Sequence, residues 1–222
     1  MYFILHPISS LNHLAARLVT DQLTFFSSII FFIILALNYK KPFFQALDYA
    51  VSNWACESRS SFFKNRAESL AIFGNALFHI LLSVVLCFIC LIVKHKFSLV
   101  LSIFFVLIFS WGLNRFMKLV YKRERPLRTP HSELRTQTRL SYCFPSGHVM
   151  ASIPIYFFCA MLLQGLMPFL PWYLVALFLS ISVIMSRIYL NHHYFTDVLG
   201  GVFMGIFCLN ISIWFYFFMG LV

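Results

Sequence analysis

The sequence predicts an all-α, integral-membrane protein built as a six-transmembrane-helix bundle. Composition is the first reason. Of 222 residues, 61% are hydrophobic and 11% charged, where a soluble domain carries about 25% charged residues. The second reason is the spacing of the apolar runs. Six segments meet or approach the roughly 20 apolar residues needed to cross a bilayer, at about 22–38, 69–93, 97–117, 149–166, 172–190 and 197–221. At this length a single membrane-embedded domain covering 1–222 is expected.

Each element follows from its residues. Leu11, Leu14, Ala15 and Leu18 share one helical face ahead of the first run. They read equally as an interfacial helix or as loop. The first span is the shortest. It begins near Leu23 with no small-x-small cleavage pattern behind it, so it reads as an uncleaved anchor. Lys40 and Lys41 then precede Phe44, Leu47, Val51 and Trp54, again on one face, with the same two readings. The second span carries Asn75 and His79, which need partners inside a bundle. A short basic link, Lys94-His95-Lys96, leads to the third span. The connection from Lys118 to Phe144 is long, polar and basic, and a loop of that length is usually functional. The link from Gln164 to Pro171 is short and uncharged. In the sixth span Gly200, Gly201 and Gly205 give a face suited to close helix packing.

The net charge is +10, from 17 Lys and Arg against 7 Asp and Glu. Nucleic acid is excluded as a partner, because no sizeable soluble region exists to dock on it. An anionic membrane surface and an anionic substrate remain. Cys87, Cys90, Cys159 and Cys208 lie in apolar runs and read as small core residues. Cys87 and Cys90 have C-x-x-C spacing, but no second Cys or His pair stands at zinc-site spacing, so no metal site is expected. Cys56 and Cys143 lie outside the runs, either paired or as two free thiols.

Helix parity places the chemistry. With six spans, the ends of the third and fifth helices share a membrane face with the starts of the fourth and sixth. Three clusters then meet there: Lys118 with Arg125-Pro126; Pro145-Ser146-Gly147-His148; and Ser186-Arg187 with His193 and Asp197. Arg125 and Arg187 can grip phosphate oxygens bidentately, and Lys118 adds a point charge. Ser146 and Gly147 lead into a helix, where N–H groups and the helix dipole favour a phosphate. Of His148 and His193, one can attack phosphorus while the other handles the leaving-group proton. Asp197, four residues after His193, is placed to hydrogen-bond its ring. A cage of cations can itself neutralise charge on a transferring phosphoryl group, so the chemistry calls for no metal and no cofactor.

These three clusters resemble the signature of the type 2 phosphatidic acid phosphatase superfamily. That signature is a Lys, six residues, then Arg-Pro; then Pro-Ser-Gly-His; then Ser-Arg, five residues, His, three residues, Asp. Lys118, Arg125, Pro126, Pro145 through His148, Ser186, Arg187, His193 and Asp197 match every position. The resemblance implies the family's six-helix fold with its active site at one membrane surface. It also implies a phosphohistidine formed on His193, oriented by Asp197. His148 would be general acid and then base, and Lys118, Arg125, Ser146, Gly147 and Arg187 would hold the phosphoryl oxygens.

The implied partner is a lipid phosphate: undecaprenyl diphosphate, phosphatidylglycerophosphate, phosphatidic acid or a lipid A phosphate. Two alternatives stand beside hydrolysis: a lipid phosphotransferase using the same phosphohistidine, and a non-catalytic lipid-binding or transport protein. Vanadate haloperoxidases share such an anion cage but are soluble, and six spans argue against them. The compact, Phe-rich chain suggests a bacterial inner membrane. Counting basic residues at span ends would turn the active-site face to the cytoplasm, whereas the resemblance implies that it faces the periplasm. Lys122, Arg123, Arg128, Arg135 and Arg139 match no signature position and read as attractors of an anionic headgroup or of anionic lipid. His192 reads as a spectator, and His131 and Glu133 have no assigned part.

Overall fold

The computed structural model describes residues 22–58, 60–94, 97–126 and 142–220. All regular structure among them is helical. The helices are α1 (Gln22–Asn38), α2 (Pro42–Glu57), α3 (Ser61–Ala71), a 3-10 turn (Ile72–Gly74), α4 (Ala76–Lys94), α5 (Phe97–Tyr121), α6 (Gly147–Leu166), α7 (Trp172–Tyr189) and α8 (Phe195–Gly220). The expected stretch at Leu11–Leu18 lies outside the described residues, as do Arg128, His131, Glu133, Arg135 and Arg139.

Four helices, α5 to α8, are long and apolar enough to cross a membrane. The number becomes six if each of two bent pairs is one span. The first pair is α1 with α2, bent by 93°. The second is Ser61–Gly74 with Ala76–Ile92, bent by 49°. The second expected span, at about 69–93, therefore does not run straight. It breaks at Asn75, whose extended backbone (φ −77°, ψ 145°) cannot continue a helix.

The stretch with Phe44, Leu47, Val51 and Trp54 is helical throughout α2. It turns by 93° from α1, a geometry that suits an interfacial helix and equally a bent span. Phe44, Leu47 and Val51 are half-buried and Ala55 fully buried, whereas Trp54 is exposed and meets only the edge of Tyr189. The inward face carries one surprise, the buried carboxylate of Asp48.

At the centre stands α6, packed against α8, α7 and α5, with 72% of its apolar window buried against 33% for α7. The glycine face of α8 explains how closely α6 approaches. A Cβ on Gly201 would lie 2.8 Å from the Ser146 carbonyl oxygen, and one on Gly205 would lie 3.1 Å from Ile153 Cβ. Around this core, Phe26, Phe31, Leu37, Phe88, Ile108, Phe178 and Phe218 point outward. So many large exposed apolar side chains suit a bilayer as solvent. Among the described residues every cysteine is a free thiol. Cys143 is fully buried and its Sγ donates to the Glu124 carbonyl at 2.9 Å, while Cys56 stands by Asn191.

Candidate active site

The site is assembled where α5 and α7 end and α6 and α8 begin. The Pro-Ser-Gly-His segment is pinned from two sides. Asn114 of α5 donates from Nδ2 to the Pro145 carbonyl at 3.2 Å, and the Ser146 N–H donates to the Asp197 carbonyl at 2.9 Å. A Cβ on Gly147 would lie 2.7 Å from Asn114 Oδ1, so that side chain would have to shift to admit one. Ser146 precedes a 20-residue helix and its side chain does not cap it, so the first-turn N–H groups are available to an anion. The Ser146 hydroxyl is fully buried and has no hydrogen-bond partner among the described residues. A buried hydroxyl in that state costs free energy that a phosphoryl oxygen would relieve.

The third cluster folds around Asp197. Ser186 Oγ donates to the Val183 carbonyl at 2.8 Å and accepts from Arg187 Nε at 3.3 Å, which orients the buried guanidinium at the end of α7. The chain then turns through Asn191, at φ 50°, into α8. Asp197 Oδ2 accepts from the Tyr194 N–H at 2.9 Å and lies 3.6 Å from His193 Nδ1. Both side chains are buried. Burial holds the His193 pKa down to about 4, against the opposing pull of Asp197 and with help from the charges of Arg125 and Lys118. The ring is therefore neutral near pH 7, the form in which nitrogen can act as a nucleophile.

The first cluster closes over the other two. Arg125 donates from Nη1 to the His192 carbonyl at 3.3 Å. Lys118, in the last turn of α5, lies within electrostatic reach of Arg125 and Asp197. His148, in the first turn of α6, interacts with Arg187, His193 and Lys118. Thus Lys118, Arg125, Ser146, Gly147, His148, Arg187, His193 and Asp197, spread over 80 positions of sequence, share one end of the bundle.

Asn75 has a partner inside the bundle, and His79 has one at Nε2, while its buried Nδ1 has none among the described residues. Asn75 Oδ1 stands 3.3 Å from His148 Nε2, and His79 Nε2 stands 3.3 Å from Ser152 Oγ. Ser152 Oγ donates in turn to the His148 carbonyl at 2.6 Å. A cavity of about 270 Å³ opens beside His148 and Lys118 and is lined also by Gly74, His79, Trp111, Asn114 and Gly147. A larger one, about 450 Å³, lies at Tyr39, Asp48, Tyr121 and Arg123 and touches none of the eight residues. The smaller cavity is the one that reaches His148, Lys118 and Gly147 of the site.

Arg123 corrects the sequence reading. It is not a loose attractor of lipid. Its Nη1 donates to Asp197 Oδ1 at 2.6 Å and to Thr196 Oγ1 at 2.7 Å, and its Nη2 donates to Asp48 Oδ2 at 2.6 Å. The signal was present in the sequence as Asp48, a carboxylate on the apolar side of an amphipathic helix, which cannot be buried without a cation.

All three clusters fall within one family match. A family model, described as PAP2 superfamily, covers residues 97–220, more than half of the chain. The chain belongs to the PAP2 superfamily. Among curated proteins it is similar to phosphatidylglycerophosphatase B of Bacillus subtilis (strain 168), with 29% identity over 189 residues, 81% of this chain and 88% of that protein. Among solved structures it is similar to the crystal structure of the first transmembrane PAP2 type phosphatidylglycerolphosphate phosphatase from Bacillus subtilis. There the TM-score is 0.76 and the identity 27%, over 85% of this chain and 94% of that one. The membrane-embedded helical fold expected from the sequence is thus also that of a solved superfamily member.

Proposed function

We propose that this PAP2 protein hydrolyses a phosphate monoester or diphosphate on a membrane lipid through a phosphohistidine on His193. The observation that carries the proposal is the buried His193 with Asp197 3.6 Å from its Nδ1 and the cations Lys118 and Arg125 facing it. With Nδ1 turned to the carboxylate, the lone pair of Nε2 is left for attack. Nε2 bonds to phosphorus as the P–O bond to the lipid breaks, and His148, charged by a proton that enters with the anionic phosphate, gives that proton to the departing oxygen. Water then attacks phosphorus, His148 takes the water's proton, the P–N bond breaks, and phosphate leaves. Lys118, Arg125, Arg187, the Ser146 hydroxyl and the Gly147 backbone hold the equatorial oxygens.

The phosphorylated headgroup enters the cavity beside His148 while its tail stays in the bilayer. Both Bacillus relatives are phosphatidylglycerophosphate phosphatases by name, which favours phosphatidylglycerophosphate over undecaprenyl diphosphate, phosphatidic acid or a lipid A phosphate. A bacterial inner membrane with the site turned to the periplasm is part of the same proposal and rests on the resemblance of the sequence motifs. The positive charge counted on that face loses weight too, since Arg123 is held between two carboxylates. A phosphate-release panel over these four lipids in detergent tests the proposal. Release from phosphatidylglycerophosphate well above the others is expected. Transfer of the phosphoryl group to another lipid, with no free phosphate, would make the protein a phosphotransferase.

A further inference from the structure

Residues on the far side of Asp197 belong to none of the three clusters, yet they are built as tightly as the site itself. Arg123 lies between the rings of Tyr39 and Tyr194, its guanidinium 4.6 Å and 4.4 Å from the two centroids. One edge of that plane binds Asp197 Oδ1 and the other binds Asp48 Oδ2. Asp48 Oδ1 accepts from the Thr196 N–H at 2.8 Å, and Asp48 Oδ2 accepts from Thr196 Oγ1 at 2.7 Å. Since Thr196 Oγ1 also accepts from Arg123 Nη1, the three side chains close a ring. Burial works against the Arg123 charge, but Asp197 and Asp48 more than offset it and hold the pKa above its usual range.

A buried ion network of this kind is a poor stabiliser, because desolvation consumes most of what its contacts return. Its placement gives it another use. Asp197 has two oxygens, and Oδ1 is taken by Arg123, leaving Oδ2 to face His193 and the Tyr194 N–H. We propose that Arg123 and Asp48 are positioning residues for phosphoryl transfer: Arg123 fixes the plane and charge of Asp197, and Asp48, carried by α2, fixes Arg123. The inference rests on the phosphohistidine reading. Two carboxylates share one guanidinium, so the charge left on Asp197 is set by how Asp48 divides it. Helix α2 is thereby linked to the residue that orients the nucleophile.

Other charged groups also face this centre. Lys118 and Arg125 face His193 from α5 and the segment after it, and His148 faces it from α6, with Arg187 of α7 beyond. Cys143 and Tyr194 flank Asp197. The test leaves all of these in place and changes only Arg123 and Asp48. The purified full-length protein is assayed for phosphate release across pH as wild type, Arg123→Gln, Arg123→Lys and Asp48→Asn. Melting midpoints and inhibition by inorganic phosphate are recorded alongside.

The expected result is a fall in kcat of roughly a hundredfold in Arg123→Gln, with KM and phosphate inhibition held within about threefold because the cage is intact. The acid limb of kcat/KM moves up in pH in Arg123→Gln, where the full charge of Asp197 favours the protonated His193. It moves down in Asp48→Asn, where the guanidinium acts on Asp197 alone. Arg123→Lys keeps the charge but not the fork, so kcat falls while the limb stays. If Arg123→Gln does not fold, Asp48→Asn and Arg123→Lys decide. Wild-type kcat in a folded variant, limbs that move in the same direction, or failure of all three variants to fold would overturn the proposal. A wild-type protein that releases no phosphate from any lipid refutes the phosphatase reading instead, which keeps the two failures distinct.

Discussion

Substitution of Gly201 by alanine tests whether the site depends on how closely α8 approaches α6. The new Cβ would stand 2.8 Å from the Ser146 carbonyl oxygen, 3.1 Å from Val149 Cβ and 3.4 Å from the Met150 nitrogen. Ordinary contact begins at 3.4 Å, so the first distance is 0.6 Å short. The obstacle is backbone at the start of α6, which cannot rotate away as a side-chain tip can. The helix ends must part, and the parting falls between Ser146-Gly147-His148 on one side and His193 with Asp197 on the other. Overpacking of this kind costs about 1–3 kcal/mol, partly offset by the roughly 1 kcal/mol that alanine returns in a helix.

The kinetic effect is larger. Misplacement of reacting groups by about 1 Å costs on the order of a hundredfold, so a fraction of that shift predicts a kcat loss of roughly tenfold. Gly112 in α5 is the control, because a Cβ there meets nothing within 4 Å. Both variants are assayed for phosphate release and thermal midpoint in one detergent. Gly112→Ala should keep the wild-type kcat and melt no lower than the wild type. A Gly201→Ala protein with wild-type kcat, or a Gly112→Ala protein as impaired as Gly201→Ala, would refute the packing argument.

Other outcomes follow from the same geometry. His193→Ala and His148→Ala should each abolish phosphate release while the protein remains folded by circular dichroism; full activity in His193→Ala would remove the nucleophile from the mechanism. Excess chelator should leave activity unchanged, since the cations of the cage carry the charge, and a strict divalent-metal requirement in the assay would contradict this. Stability should depend on pH through His193. Its folded pKa is about 4 against an ordinary 6.5, so the unfolded chain binds the proton more readily. Stability is then whole above about 6.5 and lost as pH falls towards 4, by up to roughly 3 kcal/mol. His193→Gln should flatten that part of the melting-midpoint profile.

What the sequence discloses, and what it conceals, divides along physical lines. Hydropathy located α5 to α8 to within a few residues, because length and apolarity alone decide a span. The glycine face of α8 was legible for a similar reason: small residues in an apolar helix have few uses besides close packing. The break at Asn75 was not legible. It arises where Gly74 packs against His148 and Val183, contacts from two distant helices that a single hydropathy profile does not contain. The eight residues at the site stood out through their spacing, whereas Arg123 looked like one more charge in a basic loop. Its role depends on Asp48, 75 positions earlier, and no local pattern joins the two. The carboxylate on the inner face of α2 was the available clue. Asn114, which holds Pro145 and sets the space at Gly147, was hidden in an apolar run.

The covalent step can be observed directly. Rapid quenching of the wild-type protein during turnover of a lipid carrying labelled phosphate, followed by peptide mapping, should find label that survives alkali and is lost in acid, on the peptide containing His193. Turnover with no labelled protein at any quench time, or label on another side chain, would contradict a phosphohistidine at His193.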